Sequence, residues 1–186
     1  FDIRVKKGIS RKNIINKFKN YNIKSDITPI SPIGVRINKR LSVSHLKEFK
    51  EGLFEVQDEG SQLVSLMSGV KENETVIDLC AGAGGKSLAI SDLLENVKII
   101  ATDTNINRLD KIRDRALRLK LKNKIIIEQN YKNLNFKADR IICDVPCSGS
   151  GAWRRRPEEK LNLTNNQFEN LLEIQKEILN YGADLV

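Results

Sequence analysis

The sequence predicts an α/β protein: a parallel sheet with helices on both faces, preceded by a smaller α/β unit. Three observations predict it. From Thr75 onward, short β-branched runs alternate with longer runs of helical period, and that alternation builds parallel sheets with right-handed crossovers. A glycine-rich turn, Gly82-Ala83-Gly84-Gly85, joins the first of these runs directly to the first helix. Residues 1–50 carry shorter strand and helix signals of their own and a dense basic surface. The expected division is therefore a small basic unit over residues 1–50 and a larger domain over residues 51–186.

Asp2-Ile3-Arg4-Val5 alternates as a short strand does. Ser10 stands where a cap belongs, before a helix that puts Ile14, Ile15 and Phe18 on one face. Thr28 to Gly34 holds Pro29, Pro32 and Gly34 and reads as a turn-rich link. Val35-Arg36-Ile37 alternates again, and Ser42 or Ser44 starts a short helix through Phe49. A helix is expected from Asp58 to Ser68, with Leu63, Val64, Leu66 and Met67 as its apolar face and Gly69 as its end. Strands follow at Val76–Leu79, Lys98–Thr102, Ile125–Ile127 and Arg140–Cys143. Helices lie between and after them over residues 86–94, 105–121 and 164–181, the last capped by Thr164. In the second of these, Ile106, Leu109, Ile112, Ala116 and Leu119 point inward.

The chain has 186 residues, enough for a real core, and a formal net charge of +8 with a pI near 9.4. That charge favours a polyanionic partner such as nucleic acid or an anionic membrane surface, although AT-rich codon bias enriches Lys and Asn in the same way. No apolar run approaches the ~20 residues of a membrane span. There is no signal-peptide pattern, and a start at Phe1 leads to the expectation of a fragment or a processed product. The three cysteines, Cys80, Cys143 and Cys147, have no disulfide-framework spacing, and with the single His45 they make no zinc pattern. A reducing cytoplasm and no metal are expected.

Asp78 to Ser87 follows a strand and opens a helix, so its glycines bring backbone close to a ligand at the carboxyl edge of the sheet. Three ligands compete. A phosphate-binding P-loop fits Gly85-Lys86-Ser87, but its first glycine position holds Cys80. A dinucleotide fingerprint fits Gly82 and Gly84, but its third glycine position holds Ser87. S-adenosylmethionine, which carries no phosphate, needs a close turn under its amino-acid part and a carboxylate for its ribose diol. Asp103, ending the second strand, stands where that carboxylate belongs, and it can also cap the following helix.

Asp144-Val145-Pro146-Cys147-Ser148-Gly149-Ser150-Gly151 follows the fourth strand and reaches the same sheet edge. Methyltransferases of exocyclic amines carry an aromatic residue where this motif has Cys147. A thiol suits a different problem. Carbon 5 of a pyrimidine is a poor nucleophile, and a thiolate added at carbon 6 makes it enamine-like, able to take a methyl group.

With these two motifs the sequence resembles the Sun/RsmB-type RNA cytosine-5 methyltransferases over nearly its whole length. Gly52-Leu53-Phe54-Glu55-Val56-Gln57-Asp58-Glu59 resembles the family's lead-in segment, and Cys80 to Lys86 its cofactor loop Cys-Ala-x-Pro-Gly-Gly-Lys. Asp144 to Gly151 resembles its Asp-x-Pro-Cys-Ser-Gly-x-Gly motif, and Trp153-Arg154-Arg155-Arg156-Pro157 the basic segment after it. The resemblance implies a Rossmann-like S-adenosylmethionine-dependent methyltransferase fold, truncated here, preceded by a small α/β RNA-binding unit. It implies a cofactor set of Cys80, Ala81, Gly82, Ala83, Gly84, Gly85, Lys86, Asp103, Arg108, Asn130 and Asp144. It implies a catalytic set of Cys147, Asp144 and Lys86, with Cys147 releasing product while the attacking cysteine belongs to a Thr-Cys motif on the next strand.

This sequence departs from the family pattern in three places. Ala83 replaces a proline. The aspartate expected to meet the adenine amino group is replaced by Gln129 or Asn130. The residues after Gly182 reach only the start of the fifth strand, so the Thr-Cys cysteine is expected beyond Val186 and this stretch alone is expected to bind cofactor without turnover. Arg154, Arg155 and Arg156 are candidate RNA contacts, as are Lys6, Lys7, Arg11, Lys12, Lys17 and Lys19. A monomeric cytoplasmic enzyme acting on RNA is expected: ribosomal RNA by resemblance, with transfer RNA left open. The alternatives are a non-catalytic RNA-binding or assembly protein of the same fold, and an enzyme in which Cys147 itself attacks.

Overall fold

The computed structural model describes residues 1–154 and 157–186. The chain opens with β1 (Asp2–Val5), α1 (Arg11–Lys19), β2 (Ser25–Ile27), β3 (Gly34–Ile37), α2 (Lys47–Lys50) and β4 (Phe54–Val56). The four strands form an antiparallel sheet in the order β2-β3-β1-β4. Alternation along β1 decides what each face meets. Ile3 and Val5 join Val35, Ile37, Phe54, Ile14 and Phe18 in a closed apolar core under α1. Asp2 and Arg4 point the other way and are buried too. Ser10 takes the N-cap position of α1 without a side-chain hydrogen bond. α2 is one turn capped by Leu46, shorter than expected, because Ser42 and Ser44 bond each other instead of helix amides.

Next comes α3 (Glu59–Met67), capped by Asp58, whose carboxylate accepts from the Gly60 amide. Its buried residues are Glu59, Gln62 and Ser65, whereas Val64 is 50% and Met67 82% exposed. The expected apolar face is therefore not the buried one. The reason is what α3 lies against: the helix Gly85–Leu93, the polar face of the first sheet and the turn before β3. Glu59 accepts the Ile30 and Ser31 amides, each at 2.8 Å, and pairs with Arg36. Gln62 bonds the Gln57 carbonyl and the Ser31 hydroxyl.

The second sheet is parallel, in the order β7-β6-β5-β8. It is built from β5 (Thr75–Asp78), α4 (Gly85–Leu93), β6 (Lys98–Thr102), α5 (Ile106–Leu119), β7 (Ile125–Glu128) and β8 (Arg140–Ile142), followed by α6 (Glu158–Asn162) and α7 (Asn165–Ala183). Val76, Ile99 and Ala101 pack toward α4 and α5, through Leu88, Ile90, Leu109 and Ile112. Ile77, Leu79 and Ile100 pack toward α7, through Ile178, and toward Tyr131 and Leu134. Helices cover both faces, as expected. α7 starts with a full capping box between Thr164 and Gln167. Among the described residues no helix is long and apolar enough to cross a membrane, and no group of His, Cys, Asp and Glu is arranged for a metal ion.

Candidate active site

Every strand of a parallel sheet ends at the same edge, and the residues singled out by sequence lie just beyond those ends. After β5 the chain turns under itself. Ala81 N donates to the Thr102 carbonyl at 2.8 Å, and Gly84 N to the Ala81 carbonyl at 2.8 Å. Gly82 N donates to Asp103 Oδ2 at 2.9 Å. Gly82 and Gly84 hold left-handed φ values of 58° and 78°, which side chains disfavour. A Cβ at Gly82 would stand 2.2 Å from the Arg108 guanidinium, and one at Gly84 2.8 Å from the Ile112 side chain. At Gly84 conformation and space both disfavour a side chain, whereas at Gly82 the left-handed φ does so and the exposed end of Arg108 could shift aside.

Asp103 is nearly buried. Besides Gly82 it accepts the Asn105 amide at 2.8 Å, and Arg108 stands 3.5 Å away. Each oxygen thus carries one backbone bond and keeps one lone pair. Lys86, at the start of α4, donates to Asp144 Oδ2, the first residue of the motif after β8. Asn130 uses Oδ1 to accept the Lys132 amide at 3.0 Å, which leaves one lone pair and its amino group for a ligand. Pro146 is held from α7, where Gln175 donates to its carbonyl at 2.7 Å.

Cys80, Asp103, Arg108, Asn130, Asp144 and Cys147 line one cavity of about 1080 Å³, closed on the far side by Ile174, Glu177 and Ile178 of α7. Ala81 to Gly85 form the turn behind Cys80, and Lys86 reaches the site through Asp144. Arg154 is exposed beyond the motif loop. Arg155 and Arg156 lie outside the described residues. Of the basic residues near the N-terminus, Lys7, Lys12 and Lys19 are exposed, while Lys6 bonds the Leu119 carbonyl and Arg11 the Ser31 carbonyl.

The thiols differ. Burial, reinforced by Asp78 and Asp103, pushes the Cys80 thiol up to about 12, so it stays protonated. Burial also pushes Cys143 up. Cys147 is exposed in its loop.

Sequence reasoning missed several residues that shape the site. Asp78 is 1% exposed at the end of β5, with Oδ2 accepting from Ser87 Oγ at 2.7 Å. Burial pushes its pKa up to about 6, against the pull of Ser87 and Lys86. An acid ending an apolar strand was the available signal. The glycine turn is also gripped from outside. Arg115 donates to the Ala83 carbonyl and pairs with Glu55 of β4 at 3.1 Å. Gln57 Nε2 donates to the Gly85 carbonyl at 3.1 Å, and its oxygen accepts from Arg4 Nε at 3.0 Å. Arg4, fully buried, pairs with Asp92 of α4. No local pattern announces these contacts, because they join residues far apart in sequence.

Curated relatives include ribosomal RNA small subunit methyltransferase B of Shewanella oneidensis, 35% identical over 145 residues that cover 75% of this chain and 33% of that protein. The probable ribosomal RNA small subunit methyltransferase B of Bacillus subtilis is 36% identical over 149 residues, covering 74% of this chain and 32% of that protein. The chain thus spans about a third of the length of the curated relatives it matches. A methyltransferase homolog protein from Pyrococcus horikoshii superposes with a TM-score of 0.82 at 25% identity, over 99% of this chain and 60% of that one. NSun6 from Pyrococcus horikoshii superposes at 0.86 and 23% identity, over 98% of this chain and 71% of that one. The architecture is therefore the Rossmann-like methyltransferase fold, present in part. A family profile described as 16S rRNA methyltransferase RsmB/F matches residues 66–186, and with the sheet, the glycine turn and the Cys147 loop all inside that span, the chain belongs to the RsmB/F methyltransferase family.

Proposed function

We propose that this chain is the cofactor-binding and base-handling part of an S-adenosylmethionine-dependent methyltransferase acting on carbon 5 of cytosine in ribosomal RNA. The observation that carries the proposal is that Asp103, Asp144 and Cys147 line one cavity at the carboxyl ends of the strands. The turn supports this cofactor over a phosphate ligand. The amides of Ala81, Gly82 and Gly84 are already bonded within the protein, and carboxylates of Asp78, Asp103 and Asp144 surround them. A phosphate would find these three amides already used and negative charge around them. A ligand with an ammonium group and a ribose diol suits both features. Cys80 to Lys86 would surround its methionine part, Asp103 and Arg108 its ribose, and Asn130 its adenine.

When bound, the cofactor supplies an electrophilic methyl group. The remaining work falls to the protein. A cysteine thiolate adds to carbon 6 of the cytosine, so that carbon 5 becomes nucleophilic and takes the methyl. Loss of the carbon 5 proton then restores the double bond and expels the thiolate. Cys80 stays protonated and serves as wall. Cys147, exposed on its loop and steadied through Pro146 by Gln175, is assigned to the release step. The attacking cysteine is assigned to the Thr-Cys motif of the family, which these 186 residues do not contain. Asp144, oriented by Lys86, would accept from the exocyclic amine of the cytosine. Arg154, Arg155 and Arg156, together with the basic residues in 1–50, would contact RNA phosphates.

Calorimetry with S-adenosylmethionine tests the cofactor half of the proposal. Binding near micromolar is expected, with a loss of tenfold or more in Asp103→Ala. A folded chain that binds nothing would sink it. Trapping on RNA containing 5-fluorocytosine, with a chain that includes the Thr-Cys motif, tests the chemistry. Cys147→Ser should keep or increase the covalent adduct, and loss of the adduct would make Cys147 the attacking group.

A further inference from the structure

Cys147 lines two cavities. One is the large cavity already described; the other, of about 410 Å³, has Ser148, Asn162, Leu163, Gln167, Asn170 and Leu171 as its remaining walls. Apart from Ser148, which follows Cys147 in the motif loop, the second set comes from the end of α6, its connection to α7, and the first two turns of α7.

Its chemistry is specific. Asn162, Gln167 and Asn170 are primary amides, and Leu163 and Leu171 supply apolar surface. Among the described residues no acid and no base lines it. A metal ion would want carboxylates, and a phosphate would want cations. A planar, uncharged ligand with hydrogen-bonding edges fits. Asn and Gln side chains pair donor and acceptor with the edge of a nucleobase, and apolar side chains cover its face. Gln167 spends its oxygen on the Thr164 amide at 2.9 Å, so it offers its amino group. Arg154, before α6, and Lys160, on α6, are exposed and suit a strand arriving along this side.

We propose that this second cavity receives the nucleobase immediately next to the target cytosine, and that Asn162 and Asn170 read its edge. The inference rests on the RNA cytosine reading above. Because Cys147 lines both cavities, a cytosine held beside it in the large one would have its neighbour within reach of the second. The enzyme would then have a sequence preference at one flanking position.

Photo-crosslinking on the whole chain tests this, using two short single-stranded RNAs. Each carries one cytosine, with 4-thiouridine immediately 5′ of it in one RNA and 3′ in the other. The expected result is a crosslink from one of the two RNAs, mapped by mass spectrometry to residues 147–171. Its yield should fall about tenfold in the Asn162→Ala/Asn170→Ala double variant, the effect of losing two ordinary hydrogen bonds. Crosslinks that map only elsewhere, or that the double variant does not reduce, overturn the proposal. S-adenosylmethionine binding measured in parallel separates two kinds of failure. With no crosslink but Asp103-dependent cofactor binding, the flanking-base site is wrong and the cofactor reading stands. With neither signal, the functional reading itself fails.

Discussion

Replacing Asp78 by Asn removes a buried carboxylate and keeps its shape. Oδ1 of Asp78 has no hydrogen-bond partner among the described residues, and Oδ2 accepts from Ser87 Oγ. Burial pushes the pKa from 3.8 up to about 6, so the native state holds the proton where the unfolded chain releases it. The sign follows from that difference. Below pH 3.8 both states are protonated, and the group is neutral to stability. Between 3.8 and about 6 the native state binds more protons, so stability falls as pH rises; above about 6 the cost is complete. Two units at about 1.4 kcal/mol each make it roughly 3 kcal/mol. Asn carries no charge and still accepts from Ser87, though less strongly. Asp78→Asn should therefore be more stable than the natural chain by about 2 kcal/mol at pH 7.5, and the gap should shrink by roughly half at pH 5. Urea unfolding midpoints of both chains at the two pH values measure this. A variant that is less stable at pH 7.5, with the same gap at pH 5, would show that Lys86 keeps the carboxylate charged at no cost and that the reasoning is wrong.

Gly84→Ala forces a side chain into a left-handed φ of 78° and against Ile112, so a loss of about 1–3 kcal/mol and weakened S-adenosylmethionine binding are expected by thermal melt and calorimetry. Arg4→Met strands the Asp92 carboxylate in a buried site and should cost about 3–5 kcal/mol in urea, most of it recovered by adding Asp92→Leu. Gln62→Leu should cost about 2 kcal/mol, because it strips partners from the Ser31 hydroxyl and the Gln57 carbonyl, while Met67→Ser should stay within about 0.5 kcal/mol. On the acid side, Asp2, Glu59 and Glu74 are held below ordinary carboxylate values, chiefly by Arg36, by the Ser31 amide and by Arg140. Their stabilisation is present above pH about 4.5 and lost as pH falls below it, so an acid titration followed by circular dichroism should show unfolding there.

The parallel half of the fold was legible because its signals are local. Ile99-Ile100-Ala101 is buried on both faces, Ile125-Ile126-Ile127 is half-buried at the sheet edge, and both read as continuous apolar runs. Thr164 with Gln167 is a capping box that needs no tertiary context. β2 and β4 were not legible: Ser25-Asp26-Ile27 is largely exposed and carries no apolar alternation, and the strands that pair with both lie elsewhere in the chain. α3 misled for a different reason. Its apolar residues were counted as the buried face, yet burial is set by the surface opposite, and that surface is the Asp2–Arg36 side of the first sheet.

The sequence by itself determined the chemistry on offer: glycines where a turn has no room for side chains, a carboxylate after the second parallel strand, and a cysteine after Pro146. Those are properties of residue types at short spacings. Only the tertiary structure decided which of them meet. Parallel pairing of β5, β6 and β8 brings Cys80, Asp103 and Asp144 to one edge, and α7 closes the cavity opposite. The first sheet's polar face supplies Glu55 and Gln57, which with Arg115 of α5 grip the turn from outside. Contacts of that kind are worth making only once apolar packing has already placed their partners, so no stretch of sequence announces them.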